Sequence, residues 1–260
     1  MPNDTLKNAK IDSTLPGISA VDLSAAPGGL SPAGSISGVT LRAAVYVDGF
    51  NFYHALDDLN TPHVKWVDLW RLSTVLAGTH QKVVRVVWCS APPKDPARLI
   101  RHRKYRAALA TTGVEYIEGH FVQDGIKCVH CGKYHYKPLE KQGDINVAIE
   151  LIADGFADIY DIAYLVSADS DQAATARLFR ARLANGAKPK RLITVAPPGR
   201  QHSHMVFQQA DGKRAIYAQT AEACVFGGFV KDPNGGKPIV RPTEYDPPSG
   251  WIRPAVKVIV

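Results

Sequence analysis

Tyr164-Leu-Val-Ser-Ala-Asp-Ser-Asp171 is an apolar run that ends abruptly in two carboxylates, which predicts a buried strand delivering an acidic pair. Because side chains alternate faces along a strand, Asp169 and Asp171 would point the same way if the extended geometry continued through them. An upstream run, Ala43-Ala-Val-Tyr-Val-Asp48, has the same form, and Gly49 after it permits a tight turn into a helix. Two strands that end in aspartate predict one acidic cluster at a single edge of an open α/β sheet.

The acidic cluster predicts a bound metal ion. Like charges held close together are unfavourable unless a cation neutralises them, and carboxylate oxygens suit hard divalent cations, so we expect Mg²⁺ or Mn²⁺. Asp144, which opens a predicted helix, is a further candidate ligand. Its alternative role is to cap that helix, where a carboxylate satisfies free backbone amides and the helix dipole.

The order of elements predicts the fold class. Apolar runs bounded by turn signals predict five strands, at residues 45–47, 83–88, 114–117, 162–166 and 191–196. Helical spacing predicts helices between them, at residues 51–59, 67–76, 96–111, 144–154 and 173–183. Strands separated by helical crossovers indicate an α/β fold with a mostly parallel five-stranded sheet and helices on both faces.

Composition divides the chain into three parts. Residues 1–40 are rich in small and polar residues without periodicity, so we expect a disordered N-terminal extension. Residues 41–226 form the folded domain, with a hairpin insert at 120–138. Residues 227–260 contain many prolines, which predicts a C-terminal tail that is extended along the surface or partly disordered.

Charge indicates the class of partner. The chain of 260 residues has a formal net charge of +7 at pH 7, and its basic residues concentrate at 98–106, 177–182 and 188–191. Basic segments around an acidic pocket would attract a phosphate backbone, so a nucleic acid is expected. The alternative is that these segments are solvated helix faces.

The same composition points away from membranes and disulfide-rich secreted proteins. No apolar stretch approaches the roughly 20 residues of a spanning helix, and no secretory signal pattern begins the chain. Four cysteines are too few and too uneven for a disulfide framework, which favours reduced thiols. We therefore expect a cytoplasmic protein, and its tails could recruit a protein partner or a second copy of the chain.

Three ordered segments resemble the NYN domain family of PIN-like nucleases, in its LabA-like branch. They are Val47-Asp-Gly-Phe-Asn51, Glu140-Lys-Gln-Gly-Asp-Ile-Asn-Val-Ala148 and Leu165-Val-Ser-Ala-Asp-Ser-Asp171. Their order and spacing match the family pattern over roughly residues 41–225. The resemblance implies a PIN-like, Rossmann-like sheet, a divalent-metal site and action on RNA.

The resemblance also implies roles for individual residues. The acidic metal-site residues would be Asp48, Asp144, Asp169 and Asp171, and Asn51 would orient a ligand or a metal-bound water.

Two serines lie between the candidate ligands. Ser167 and Ser170 could hydrogen-bond the carboxylates or a phosphate. Ala168, where relatives commonly have glycine, adds a methyl group near the proposed metal.

The segment Cys128-Val-His-Cys-Gly-Lys-Tyr-His135 resembles a zinc knuckle, in which the turn aims backbone amides at thiolate sulfur. Cys128 and Cys131 would be two ligands, and His135, His130 or His120 could complete a tetrahedral structural zinc site. An unmetallated hairpin and a redox cysteine pair are the alternatives.

Further residues are candidates for contact with the substrate. Lys141 could contact a phosphate or pair with a site carboxylate, and Arg200 could contact a phosphate or lie in a solvated loop. The aromatic side chains of Phe50, Phe52 and Tyr53 could stack on bases, although at least one is expected in the core.

These patterns favour a metal-dependent ribonuclease, an endonuclease that hydrolyses RNA phosphodiesters with Mg²⁺ or Mn²⁺. A second hypothesis keeps the NYN fold but not the chemistry, as a catalytically weak nucleic-acid-binding or adaptor module. A small-molecule phosphohydrolase would use the same metal chemistry but explains the basic surface poorly. A nucleotide-dependent oxidoreductase is disfavoured because no Gly-x-Gly-x-x-Gly follows the first strand.

Overall fold

The computed structural model of the protein describes residues 40–256, except for the side chains of 122–124, 126 and 135–140. The predicted N-terminal extension, residues 1–40, therefore lies outside the described residues apart from Thr40. The same holds for the last four residues of the predicted tail.

The described residues form strands that belong to one central sheet and two small hairpin sheets. The strands are β1 (Leu41–Asp48), β2 (Gln81–Ser90), β3 (Glu115–Glu118), β4 (His120–Lys127), β5 (Tyr134–Lys141), β6 (Ile162–Val166), β7 (Arg191–Ala196), β8 (Gly212–Ala215), β9 (Phe229–Val230) and β10 (Ile239–Val240). The helices are α1 (Gly49–Asp57), α2 (Leu69–Ala77), α3 (Pro96–Ala110), α4 (Gly143–Phe156), α5 (Ala173–Phe179), α6 (His204–Phe207) and α7 (Ala218–Ala223).

The central sheet has the strand order β3-β2-β1-β6-β7-β8, and each neighbouring pair is parallel. The predicted α/β class with a mostly parallel sheet is confirmed, and the architecture agrees with a Rossmann-like or PIN-like fold. The predicted number of five strands is wrong, because β8 adds a sixth strand at the edge beside β7.

The central strands are buried on both faces, which is why they appear in the sequence as nearly unbroken apolar runs. Val45 and Val47 of β1 pack into one core with side chains from α1, α2 and α3. Ala44 and Tyr46, on the other face of β1, pack into a second core with side chains from α4, α5 and α6. The two cores hold β1 rigidly, and with it the residues at its carboxyl end.

Aspartates begin the first three helices. Asp48 accepts a hydrogen bond from the backbone of Asn51, Asp68 from Trp70 and Arg71, and Asp95 from Arg98. Each carboxylate satisfies amides that have no partner inside the helix. Asp48 thus joins the end of β1 to the start of α1, so its position is set from both sides.

The insert is a two-stranded antiparallel ribbon. Strands β4 and β5 pair from His120 opposite Lys141 out to Lys127 opposite Tyr134. The ribbon continues three residues beyond the predicted limit of 138, and Lys141 at its base is followed by Gln142 with a left-handed φ of 73°. This turn connects the ribbon directly to α4, which begins at Gly143.

The Pro-rich C-terminal segment is anchored to the domain, which refines the prediction of an extended or partly disordered tail. Strands β9 and β10 pair with each other. Arg101 of α3 forms an ion pair with Glu244 at 2.7 Å, and the Trp251 indole donates to Glu222 of α7 at 2.5 Å. The prolines limit regular structure, but aromatic and charged side chains between them still hold the segment in place.

Among residues 40–256, no helix is both long enough and apolar enough to cross a membrane.

Candidate active site

The candidate site lies at the topological switch point of the central sheet, where the strand order changes direction between β1 and β6. From β1 the sheet extends to β2 and β3 on one side, and to β6, β7 and β8 on the other. Parallel strands β1 and β6 end together, with Val47 opposite Val166. Ligands of open α/β sheets bind at such a point, in the crevice beyond the carboxyl ends of the strands.

Asp48 occupies the centre of this crevice. Only 5% of the residue is exposed, and its carboxylate accepts hydrogen bonds from the backbone of Asn51 at 3.0 Å and from Ser167 Oγ at 2.9 Å. Burial raises the pKa of the Asp48 carboxyl above its ordinary value, and the two hydrogen bonds oppose this shift. Asp169 and Asp144 raise that pKa further because their negative charges lie nearby.

The segment after β6 is tied to the end of β1 by Ser167 and Asn51. Ser167 Oγ donates to Asp48 and accepts from the backbone of Asp169 at 3.0 Å. Asn51 Oδ1 accepts from the backbone of Ala168 at 3.1 Å. Of the two roles predicted for Ser167, the structure shows the hydrogen bond to a carboxylate, with the serine itself buried.

The predicted geometry of the acidic pair is wrong. Strand β6 ends at Val166, and residues 170–172 form a 3-10 turn that begins after Asp169. Asp169 accepts a hydrogen bond from the backbone of Asp171 at 2.9 Å, so the two residues are not alternate positions of one strand. Asp169 approaches Asp48, whereas Asp171 is exposed on the turn.

Asp144 lies in the first turn of α4, close enough to Asp48 to affect its pKa. The capping position is Gln142, which makes no side-chain capping hydrogen bond. Gln172 Nε2 donates to the Asp144 carbonyl at 3.0 Å and thereby links α4 to the turn after Asp169. Three elements therefore bring Asp144 and Asp169 close enough to Asp48 for their charges to raise its pKa.

The candidate carboxylates have no ion-pair partner among the residues that the structure describes. None of the four predicted ligands forms an ion pair with a basic residue in the described part of the chain. Glu150, six residues after Asp144, instead pairs with Arg85 at 2.8 Å. The site therefore keeps a net negative charge.

The donor atoms suit a divalent cation, but the spacing limits how many could share one. Among the side chains that the structure describes, no three from His, Cys, Asp or Glu come together in an arrangement that could hold a metal ion. Mg²⁺ is commonly held by one or two protein carboxylates, with waters and substrate phosphates filling the other positions. The residues fit that form of binding, with Asp48 and Asp169 as the central pair.

The predicted substrate contacts are spread around the crevice. Lys141 is exposed at the base of the ribbon, and Ser170 is exposed on the 3-10 turn. Arg200, in the loop after β7, forms an ion pair with Asp58 just beyond α1. Lys141 is thus open to solvent, whereas part of the charge of Arg200 is already neutralised.

The cysteine turn is closed by a backbone hydrogen bond. Gly132 adopts a positive φ of 68°, and its amide donates to the Cys128 carbonyl at 2.9 Å. Backbone amides of Cys131 and His130 donate to the Cys128 sulfur and lower the pKa of that thiol. The His135 side chain lies outside the described side chains, so the predicted zinc site stays a prediction.

Gly49 allows the closest approach in the site. A Cβ at this position would lie 2.5 Å from both Trp88 Nε1 and the Cys89 carbonyl oxygen. Only glycine fits this close contact between the start of α1 and the end of β2.

An aromatic pocket of about 380 Å³ begins beside Gly49, between α1 and α3. Phe50 and Tyr53 line it and are 43% and 37% exposed, whereas Phe52 is mostly buried in the core, as expected for one of the three. Sequence reasoning missed the remaining walls, which come from Trp88, Phe121 and other distant residues. The aromatic cluster beside Asn51 was the only local signal of this pocket.

A scan against models of known protein families finds no match, and a search of curated proteins also finds none. Among solved structures, the chain is similar to a protein of unknown function from Vibrio parahaemolyticus RIMD 2210633. The two share 18% sequence identity with a TM-score of 0.48, over 69% of this chain and 94% of that chain. At this level the likeness says nothing about function, and membership of the NYN family stays a prediction.

Proposed function

We propose that the protein is a metal-dependent endoribonuclease, a hydrolase that cleaves RNA phosphodiester bonds with Mg²⁺ or Mn²⁺. The observation that carries this proposal is that Asp144 and Asp169 lie near enough to the buried Asp48 at the carboxyl end of β1 to raise its pKa, while none of the three pairs with a basic residue that the structure describes. A protein tolerates such uncompensated charge where function requires it, because burial and repulsion both act against the ionised form of Asp48.

Asp48 and Asp169 would hold the cation, with Asp144 adding negative charge beside them. When bound, a divalent ion supplies an activated water and stabilises charge on the leaving oxygen. The chain's own contribution is to place the carboxylates. Two donors fix the Asp48 carboxylate, so few rearrangements are needed when a substrate arrives.

Asn51 and Ser167 have different positioning roles in this proposal. The Ser167 hydroxyl makes its hydrogen bonds within the protein, donating to Asp48 and accepting from the backbone amide of Asp169. Asn51 uses Oδ1 to hold Ala168, and its Nδ2 has no hydrogen-bond partner among the described residues. That amide is free to donate to a phosphate oxygen or to a water in the crevice.

Exposed basic residues on the ribbon and on α3 support a polyanionic substrate. Lys141 lies at the base of the ribbon, Lys127 and Lys133 lie towards its tip, and α3 exposes Arg98 and Lys104. The positive charge of these surfaces partly offsets the repulsion between the acidic centre and a phosphate backbone. A metal ion bound at the acidic centre would then make the interaction attractive.

The resemblance to NYN nucleases and the state of the cysteines agree with a cytoplasmic ribonuclease. The quoted segments supply Asp48, Asp144 and Asp169 in the family's order, and no disulfide joins the described cysteines, as is usual in a reducing compartment.

A binding or adaptor module is the second candidate. It is favoured by the spacing of the carboxylates, since no three acidic, histidine or cysteine side chains in the described part could hold one ion together. Calorimetric titration with Mg²⁺ or Mn²⁺ separates the two functions, because a module without chemistry would bind these ions negligibly.

The test of the nuclease is cleavage of single-stranded RNA by purified protein with Mg²⁺ or Mn²⁺, compared with EDTA. Asp169→Asn should lower the rate at least about a hundredfold, because it removes a charged ligand while the amide oxygen still accepts from the backbone of Asp171.

Asp232→Asn is the matched control. Asp232 also accepts a hydrogen bond from the backbone amide two residues on, at 2.9 Å, but it lies between β9 and β10. Both variants are purified identically, so a contaminating nuclease would cleave equally in each. Unchanged cleavage by Asp169→Asn would exclude the nuclease.

A further inference from the structure

The aromatic pocket beside Gly49 adjoins the candidate active site. Gly49 lines the pocket and directly follows Asp48, and Ser90 at the end of β2 lines it as well. Its volume of about 380 Å³ is near the lower end of the range for small-molecule sites, which begins at about 300 Å³. The pocket therefore has room for one planar group next to the acidic centre.

Aromatic rings from four separate segments surround this space. Phe50 and Tyr53 come from α1, Phe121 from the base of the ribbon, Trp88 from β2 and Tyr245 from the C-terminal segment. The Phe50 ring lies 6.4 Å from the Phe121 ring, centroid to centroid, with a steep angle of 65° between them. Phe50 and Tyr53 are 43% and 37% exposed, and Lys65 Nζ lies 5.3 Å above the Tyr53 ring, so both residues keep part of their surface open to a ligand.

His102 contributes another neutral ring to the wall. Burial lowers its pKa to about 4, with a smaller contribution from the charge of Arg106, so the imidazole is uncharged near neutral pH. Its ring lies 5.2 Å from that of Trp88, and its Nε2 is 3.2 Å from the Tyr116 hydroxyl. The deep part of the pocket is thus aromatic and uncharged.

Three basic residues also line the pocket, and two of them are paired with carboxylates. Lys65 pairs with Asp57, and Arg101 pairs with Glu244. Arg98 also lines the pocket, is exposed, and forms no ion pair with the residues that the structure describes. An aromatic interior with a free guanidinium beside it matches a flat, neutral ring attached to a phosphate.

We infer that this pocket binds one unstacked nucleobase of single-stranded RNA, while an adjoining phosphate occupies the crevice at Asp48. This inference rests on the proposed ribonuclease function and adds the form of RNA that the site takes. A base inside a duplex is stacked and paired, so it cannot enter the pocket without being extruded. The pocket therefore selects single-stranded over double-stranded RNA.

Equilibrium binding in EDTA isolates the contribution of the base in its pocket, because without a metal ion there is no cleavage and the acidic crevice does not attract the phosphate. The ligand is a fluorescently labelled single-stranded RNA of about eight nucleotides, followed by anisotropy. Phe50→Ala combined with Tyr53→Ala should weaken binding about tenfold or more, the scale expected when a base loses its stacking partner. Phe50→Trp, which keeps an aromatic face, should bind within about threefold of the wild type.

Phe156→Ala is the matched control. Phe156 is 65% exposed at the far end of α4, about 20 Å along the helix from the turn that carries Asp144. The loss of an exposed aromatic ring there should leave RNA binding unchanged.

Two comparisons with the wild-type protein need no variant. The same strand with abasic sugars in place of its nucleotides, and the same strand annealed to its complement, should each bind at least about fivefold more weakly. Equal binding of the abasic strand or the duplex overturns the inference, as does unchanged affinity in the folded double variant.

Failure here is distinguishable from failure of the proposed function. If Asp169→Asn cleaves normally but the double variant loses RNA binding, the nuclease mechanism is wrong and the base pocket stands. If Asp169→Asn is inactive but the double variant binds RNA normally, the nuclease stands and the base pocket is wrong.

Discussion

The two ends of the β1–β6 strand pair carry carboxylates in opposite electrostatic settings. At the amino-terminal end, Asp161 pairs with Arg42 at 2.7 Å, and Asp158 pairs with Arg42, Lys188 and Lys190. Hydrogen bonds from Lys188, Lys190 and Arg42 lower the pKa of Asp158, and those from Arg42 lower the pKa of Asp161. This end is neutralised by the protein itself.

At the carboxyl-terminal end, Asp48 meets Asp169 and Asp144, and the pKa of Asp48 is raised. The same pair of strands thus ends in a closed ionic network on one side and in an unbalanced acidic crevice on the other. The contrast teaches that proximity of carboxylates does not by itself indicate a site. What distinguishes a site is a set of charges for which the chain supplies no counterion.

The largest expected effect tests whether only one end is functional. Asp48→Asn should lower RNA cleavage at least about a thousandfold, roughly 4 kcal/mol of transition-state stabilisation, because the buried carboxylate at the centre of the crevice is lost. Initial cleavage rates with Mn²⁺ at saturating RNA measure this effect.

Asp161→Asn is the counterpart at the neutralised end and should cleave within about twofold of the wild type. If both variants lose activity equally, the contrast between the two ends has no functional meaning.

An intermediate effect concerns binding of the ion. At a concentration about 100 times its Kd, Mn²⁺ should stabilise the wild type by about 2.7 kcal/mol and raise Tm by roughly 5–10 °C. The rise should vanish with EDTA and in Asp48→Asn, but persist in Asp161→Asn. Thermal unfolding followed by circular dichroism measures it, and an equal rise in Asp48→Asn would assign the ion to another place.

The smallest expected effects have opposite signs at the two ends. Near pH 7 and without metal, Asp48→Asn should stabilise the fold by about 1 kcal/mol, because it removes a buried charge that repels its neighbours. Asp161→Asn should destabilise the fold by about 1 kcal/mol, because the charged partner of Arg42 is lost. Urea unfolding curves of the three proteins measure both differences.

The two differences should depend on pH in a predictable way. The raised pKa of Asp48 means that its ionised form costs stability as pH rises above about 4, so the gain from Asp48→Asn should grow with pH. The lowered pKa of Asp161 means that its stabilisation is present above about pH 4 and is lost as pH falls below it. A difference of constant size across this range would assign it to packing rather than charge.

Much of the fold was predictable because the central strands are buried on both faces. Strands β1 and β6 appear in the sequence as continuous apolar runs, and both occur where they were predicted. Strand β8, Gly212-Lys-Arg-Ala215, has no apolar pattern. Its extended form depends on pairing with β7, from Ile193 opposite Gly212, which no local pattern reveals.

The site was predictable in its location but not in its detail. Asp48 and Asp169 follow directly from strands that end at the same edge. Asp171 was misplaced because the chain leaves the extended direction after Val166. Hydrogen bonds from Ser167 to Asp48 and from Ala168 to Asn51 accompany that change, and they join residues more than a hundred positions apart. Strand periodicity carries no information about such contacts.

The aromatic pocket was even less predictable from the sequence than the acidic site. The exposed aromatic residues of α1 were recognisable as candidates, since they follow Asp48 immediately. Trp88, Phe121 and Tyr245 join them only through tertiary packing, and the prolines around Tyr245 indicate a loose tail when read alone.

The anchored C-terminal segment has a practical consequence for dividing the chain. A fragment ending at residue 226, where the sequence places the domain boundary, would keep the candidate carboxylates but lose Tyr245, Glu244 and Trp251. A fragment that retains the acidic centre can therefore be shorter than one that retains the complete pocket. Truncation at residue 226 would remove Tyr245 from the wall of the pocket, whereas the central sheet, which ends with β8 at Ala215, would be kept.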